Sequence, residues 1–320
     1  MNIIETQGLQ KTFQSRGSKG SPAATVEAVK GVDLQVKQGQ IFGFLGPNGA
    51  GKTTTLRMLS TLIPPTSGTA RVVGVDLLRE ARKVRERIGY VSQAGGTDVY
   101  ATARENLMLQ AQLFGMSKAA ARERVAHLLA ALQLDSFADR PAKTYSGGQR
   151  RRLDIALGMV NQPQLLFLDE PTTGLDPQSR SELWEEVARL AREDGVTVFL
   201  TTQYLEEADE LADRVGIIDH GRIVAEGTPD ELKRSIGTDL VVAVVDGLGL
   251  QLEVGDDRMR AARAIRTANR SVARILGVST ERAMALFFDR AVQQGPAAAR
   301  QMAEHLRAGG VPGYPAVLRA

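Results

Sequence analysis

Apolar and polar residues change rhythm along this chain, and each change marks out an element. Residues 25–94 read as strands set around one glycine-rich loop and a helix that opens at Lys52. The run Ile41-Phe42-Gly43-Phe44-Leu45 just before that loop has strand character. Over 101–134 the spacing turns helical, with Leu107, Leu109, Leu113, Val125, Leu128, Leu129 and Leu132 as the apolar positions of a helical insert that Pro141 closes. From Gln164 the order is strand, helix, strand, helix: Leu165–Leu168, Ser179–Ala191, Val196–Leu200, Leu205–Ala212. Val215–Ile218 and Arg222–Ala225 then flank a turn at His220-Gly221, and Pro229–Ser235 reads as a short closing helix. This alternation predicts an α/β fold, a mostly parallel sheet with helices packed on it. No internal repeat is present, so one unit is expected.

Two stretches break the pattern. Ser15–Ala24 is small, polar and glycine-rich, which predicts a mobile loop between two strands. The other is the C-terminal part. Leu240–Val245 and Leu248–Val254 predict a hairpin across Asp246-Gly247. From Asp256 onward there are eleven Arg, no Lys and five acids, a net of +6, with an apolar helical side at Val272, Ile275, Leu276, Met284, Leu286, Phe287, Phe288 and Val292. Gly309–Pro315 reads as disordered. A packed helical extension, a basic element touching anionic lipid and a frame-shifted GC-rich stretch all fit this composition.

Length and charge narrow the classes. The 320 residues suffice for a large core. A net charge of +3 gives no bulk electrostatic case for nucleic acid. The absence of cysteine excludes disulfides and thiol chemistry. No run of eighteen apolar residues and no signal-peptide pattern at Met1-Asn2-Ile3-Ile4-Glu5 point to the cytosol, so any pore must be another polypeptide.

The chemistry begins at Gly46-Pro47-Asn48-Gly49-Ala50-Gly51-Lys52-Thr53-Thr54, a complete phosphate-binding loop in strand–loop–helix context. Its amides can converge on phosphate oxygens at a helix N-terminus. Lys52 offers a charge to the β- and γ-phosphates, and Thr53 a hydroxyl to Mg²⁺. Asp169 and Glu170 end an apolar strand, where α/β sheets place their chemistry. Asp169 is positioned to hold Mg²⁺ and Glu170 to orient or deprotonate water. Ser146, Gly147 and Gly148 precede a helical run and form a second anion site. Arg150-Arg151-Arg152 reads as a solvated helix face with Asp154 as partner, being too short a run for a nucleic-acid patch.

In this order and spacing the motifs resemble those of ABC transporter ATP-binding subunits over residues 3–236. Gly46–Thr54 is similar to Walker A, Gln93 to the Q-loop, Tyr145–Gln149 to the signature, Leu165–Glu170 to Walker B and Asp176 to the D-loop. Thr144-Tyr145-Ser146-Gly147-Gly148, Arg150–Ala156 and Thr201–Asp209 resemble, more narrowly, drug-export ATPases of the daunorubicin-resistance type. The resemblance implies a P-loop fold of ABC type with helices on both faces of the main sheet and an antiparallel β element near the N-terminus. It also implies a helical subdomain at about 97–160 and a C-terminal extension over 237–320.

Several roles follow from the resemblance alone. Phe13 would stack on adenine, a strand or core aromatic being the other reading. Ser146, Gly147, Gly148 and Gln149 would face the ATP of a second copy, because one chain carries one phosphate loop and one signature. Gln93 would touch Mg²⁺ and couple nucleotide state to a separate transmembrane permease. Gln203 stands where the family usually has His. It can hydrogen-bond a phosphate but cannot take up a proton, which favours Glu170 as base and Gln203 as positioner. The expected protein is an ATP hydrolase driving export of a drug-like compound from the cytoplasmic face of the membrane, with ATP and Mg²⁺ and without nucleic acid. Lipid or polysaccharide export, import, a soluble non-transport ABC protein and a binding-only regulatory subunit are the alternatives.

Overall fold

A computed structural model describes residues 1–14 and 25–234. The chain divides into two units, Met1–Leu232 and Lys233–Ala320, and all but the first two residues of the second lie outside the described residues. The expected loop at 15–24, the hairpin and the arginine-rich tail therefore fall outside them as well.

Two sheets build the first unit. The larger has strand order β10-β9-β3-β8-β7-β6. Its strands are β3 (Ile41–Leu45), β6 (Ile88–Val91), β7 (Leu165–Asp169), β8 (Thr197–Thr202), β9 (Arg214–Asp219) and β10 (Arg222–Gly227). Five of them run parallel, and β10 joins antiparallel through a turn at His220 and Gly221, both at positive φ. The second sheet, β2-β1-β4-β5, is antiparallel throughout: β1 (Asn2–Gln14), β2 (Thr25–Lys37), β4 (Ser67–Val72) and β5 (Val75–Asp76). The antiparallel element expected near the N-terminus is thus a full four-stranded sheet.

Side-chain alternation explains why Leu165–Leu168 of β7 and Val198–Leu200 of β8 read as unbroken apolar runs: both faces are covered. Leu165, Phe167, Phe199, Phe42 and Phe44 point to one core, shared with the antiparallel sheet and with α1 (Lys52–Leu59). Phe199 lies at its centre, with ring centroids 5.5–5.7 Å from Phe42, Phe44 and Phe167. Leu166, Leu168, Val198 and Leu200 point the other way, toward α5 (Gly147–Met159), α6 (Pro177–Glu193) and the helical insert. The remaining helices are α2 (Ala81–Arg85), α3 (Ala103–Leu113), α4 (Lys118–Ala131) and α7 (Leu205–Leu211). Residues 229–234 are helical where the closing helix was expected, and Thr228 and Glu231 cap that turn reciprocally.

The insert departs from the expected pattern at two positions. Leu107, Val125, Leu128, Leu129 and Leu132 are buried, but Leu109 is 58% and Leu113 74% exposed. On α3 the inward stripe is Ala103, Asn106, Leu107 and Ala111, which turns 109 and 113 to the opposite side. Asn106 spans the turn before α3, accepting from Asp98 N (2.8 Å) and donating to Asp98 O and Thr102 O.

Candidate nucleotide site

The glycine-rich loop leaves the end of β3 and turns into α1. Close backbone approach dictates two of its glycines. A Cβ on Gly46 would stand 2.3 Å from Ile218 O, and one on Gly51, at φ 110°, 2.6 Å from Ala28 O. Gly51 caps α1 without a side-chain partner, so the first amides of the helix face the cleft. An open cleft of about 470 Å³ lies here, lined by Ala28, Asn48, Gly49, Gly51, Lys52, Thr53, Thr54, Gln93, Glu170, Thr173 and Gln203.

Three strand ends and one helix start bring the charged groups together. Lys52 Nζ donates to Gly46 O (2.8 Å) and Pro47 O (3.1 Å) and pairs with Glu170 Oε1 at 3.2 Å. Glu170 Oε2 accepts from Gln93 Nε2 (3.0 Å) and Thr173 Oγ1 (3.3 Å). Asp169 Oδ1 accepts from Thr53 Oγ1 (2.9 Å) and Thr201 Oγ1 (2.8 Å). Glu170 is buried and sits at φ 46°, uncommon for a residue with a side chain, held by its N–H on Thr201 O and Oγ1. Burial, together with the Asp169 charge, pushes the Tyr90 hydroxyl above the usual tyrosine range.

The other sequence-predicted residues lie outside the cleft lining. Phe13 is 43% exposed on β1, opposite Val26, with Lys11 Nζ 5.3 Å from its ring centroid; it is a strand aromatic rather than a core one, and it is not among the cleft-lining residues. Ser146 is the N-cap of α5, and with Gln149 it forms a capping box: Ser146 Oγ accepts from Gln149 N (3.2 Å), and Gln149 Oε1 from Ser146 N (3.0 Å). Gly147 and Gly148 belong to the first turn of α5 itself, so the residues expected to form a second anion site fall at the helix start rather than on a segment before it. Tyr145 is buried, its hydroxyl donating to Phe137 O (2.6 Å). Asp176 caps α6, accepting from Ser179 N (3.0 Å) and Oγ (2.7 Å), and these bonds lower its pKa. Ser179 Oγ lies 3.0 Å from where a Gly148 Cβ would be, so the Asp176 turn abuts the start of α5.

One expectation is overturned. The run Arg150–Arg152 is not a solvated face: Arg151 is 7% exposed and hydrogen-bonds only to backbone carbonyls, with the expected partner Asp154 3.9 Å away, while Arg152 pairs with Glu182 at 2.9 Å. The three arginines point in different directions because successive helical residues turn by about 100°. A second residue went unnoticed in the sequence. Glu207 on α7 is fully buried, accepts from Trp184 Nε1 (3.2 Å), and burial raises its pKa.

Comparison with known proteins agrees with this geometry. A family model described as ABC transporter matches residues 29–173. The daunorubicin/doxorubicin resistance ATP-binding protein DrrA of Streptomyces peucetius is 48% identical over 279 residues, covering 87% of this chain and 77% of that protein. The Nod factor export ATP-binding protein I of Ralstonia nicotianae is 41% identical over 247 residues, 77% of this chain and 74% of that one. Among solved structures, a dimeric post-hydrolysis ATP-binding cassette bound to ADP and Pi has TM-score 0.63 and 28% identity, covering 71% of this chain and 99% of that one. On these grounds the chain belongs to the nucleotide-binding, ATP-hydrolysing subunits of the ABC transporter family.

Proposed function

We propose that this chain powers export of drug-like compounds through a separate transmembrane permease, working as a head-to-tail pair of copies at the cytoplasmic face of the membrane. The observation that carries the hydrolytic part is the Lys52–Glu170–Gln93 constellation beside Thr53–Asp169 at the mouth of one cleft. The cargo class rests on similarity to the daunorubicin-resistance proteins. The paired arrangement rests on similarity to a dimeric cassette. We take residues 3–236 as the ATPase domain, about 97–160 as its helical subdomain and 237–320 as a C-terminal extension.

In this reading the loop amides from Gly46 to Thr54, Lys52 and the start of α1 bind the triphosphate, and Phe13 stacks on the adenine. Glu170 orients the attacking water and takes its proton as the bond to the leaving oxygen of ADP breaks. Gln203 faces the same cleft and positions the γ-phosphate through its amide. Thr53 and Gln93 line the cleft, and Asp169 lies beside Thr53, from whose hydroxyl it accepts at 2.9 Å; these three would supply the oxygen atoms for a metal ion. No group of three or more His, Cys, Asp or Glu clusters among the described residues. Such a sparse oxygen set suits Mg²⁺, which binds one or two carboxylates and completes its shell with phosphate and water. Bound there, Mg²⁺ would neutralise charge on the β- and γ-oxygens. Ser146–Gln149 and Asp176 would meet the nucleotide and the surface of the second copy.

The helical insert supplies the docking face for the permease. Tyr100, Leu109, Leu113 and Phe114 are exposed there, close in sequence to Gln93, and exposed apolar groups of this kind mark interaction surfaces. Among the described residues no helix is long and apolar enough to cross a membrane. The test has two arms. Purified chain should hydrolyse ATP and lose turnover in Glu170→Gln while binding ATP, and tagged chain should recover a multi-span protein from solubilised host membranes. Turnover unchanged in Glu170→Gln removes the hydrolytic reading, and recovery of soluble partners alone removes the transport reading. A second cargo reading, favoured by similarity to Nod factor export proteins, keeps the same motor, and transport by the recovered permease in vesicles separates the two.

A further inference from the structure

Helix α5 carries two buried charges that nucleotide binding does not use. Arg151 and Asp154, three residues apart, are each 7% exposed, with Arg151 Nη1 3.9 Å from Asp154 Oδ2. Arg151 donates three times, always to backbone: Nη1 to Ser92 O (2.7 Å), Nη2 to Asp169 O (3.1 Å) and Nε to Pro171 O (2.8 Å). Those carbonyls belong to the residue before Gln93 and to the residues on either side of Glu170. Asp154 Oδ1 accepts from Gly96 N (2.9 Å), Thr97 N (3.1 Å) and Thr97 Oγ1 (2.7 Å). The approach is so close that a Cβ on Gly95, at φ 79°, would lie 2.6 Å from Asp154 Oδ2.

The segment Ser92–Thr97, which contains Gln93, is therefore pinned at both ends to one helix. The same helix touches β6 backbone to backbone further along, since a Cβ on Gly89 would stand 2.1 Å from Gly158 O. A planar guanidinium can reach three carbonyls on two loops at once, which an ammonium cannot do with the same geometry. The N-cap of α5 is Ser146, so its first turn holds the signature residues. A shift of that turn, carried along a rigid helix, would reach the segments that hold Gln93 and Glu170 through these bonds.

We propose that Arg151 and Asp154 are positioning residues through which the signature helix sets the placement of Gln93 and Glu170, so that hydrolysis in a chain's own cleft responds to what its signature meets. The proposal rests on the reading of Gln93 and Glu170 as hydrolytic residues. Coupling of this kind is demonstrated by energetics rather than by proximity.

The experiment measures steady-state ATP turnover and binding of a fluorescent ATP analogue by the full chain. The variants are Gln93→Ala, Asp154→Ala, Asp154→Asn, Arg151→Lys, Thr97→Val and the doubles with Gln93→Ala. Misplacing a reacting group by about 1 Å costs about a hundredfold, so Asp154→Ala should lower kcat by roughly 10- to 100-fold. Analogue affinity should stay within about twofold, and in the Gln93→Ala background the loss should shrink to less than about threefold. Asp154→Asn, which keeps the accepting oxygen, should recover most of the rate. Arg151→Lys should lower kcat in the same manner, and Thr97→Val, which leaves α5 intact, less so. Full multiplicative losses in the Asp154 or Thr97 doubles with Gln93→Ala, or equal loss of binding and turnover, would overturn the proposal. If Asp154→Ala does not fold, the Thr97→Val/Gln93→Ala cycle decides by the same criterion. Unchanged turnover in Gln93→Ala sinks the hydrolytic reading and this proposal together, whereas an impaired Gln93→Ala with additive doubles sinks this proposal alone.

Discussion

Replacing Lys52 by Met should destabilise the protein before any question of catalysis arises. The Lys52 and Glu170 side chains are 3% and 8% exposed and 3.2 Å apart. Removing the ammonium leaves a buried carboxylate with only the Gln93 amide and the Thr173 hydroxyl as side-chain donors. Breaking a buried pair from one side costs about 3–5 kcal/mol, and the two remaining donors put this case near 3. For a unit of this size each kcal/mol shifts the melting temperature by about 2–4 °C, so a fall of roughly 6–12 °C is expected. Glu170→Gln should cost less, about 1–2 kcal/mol, because Lys52 keeps an amide oxygen beside the two loop carbonyls. The double variant carries no uncompensated charge and should melt above Lys52→Met. Scanning calorimetry without nucleotide at neutral pH measures all three. A Lys52→Met protein melting within about 2 °C of the parent, or a double variant less stable than Lys52→Met, would refute the reasoning.

Gln203→Ala should abolish most hydrolysis while retaining ATP binding, checked by turnover against analogue binding; unchanged turnover would remove Gln203 from the mechanism. Burial raises the pKa of Glu207, so the folded state holds that proton more tightly than the unfolded one. Stability from this group should therefore decline as pH rises from the ordinary glutamate range through the raised value. Glu207→Gln should flatten this slope in melting curves recorded from about pH 4 to about pH 8, and an identical slope would exonerate Glu207. Gly89→Ala forces a Cβ against Gly158 O and should lower stability by about 1–3 kcal/mol or more, read from the urea midpoint.

Much of the architecture was legible because local signals agreed. Runs such as Leu165–Leu168 could be read as buried strands, since apolar residues faced both ways and acids stood at the end. The capping pair Ser146 and Gln149 marks the start of α5 in the sequence itself, besides the nucleotide contact that the resemblance implies for the same residues. The parallel alternation gave the larger sheet, but nothing in β1, β2 and β4 announced that they form a second one. That pairing joins residues far apart in sequence, for example Ile4 to Val72, and short-range periodicity carries no information about such partners.

The residues that escaped are polar groups inside apolar stripes. Reading Arg151 as the middle of a three-residue charge run treats the sequence as a line. On a helix its neighbours are the residues three, four, seven and eight positions on: Asp154, Ile155, Gly158 and Met159, all buried. Counting back from Ile155 and Met159 places Arg151 inward, and separates it from Arg152, whose partner Glu182 is 46% exposed. A buried guanidinium needs acceptors on every side, and Arg151 finds them in carbonyls freed where β6 and β7 end. Those strand ends hold Gln93 and Glu170. The need to satisfy one buried charge thus joins α5 to the segments that carry Gln93 and Glu170, and the proposed control of turnover by that helix rests on the same bonds that stabilise the fold.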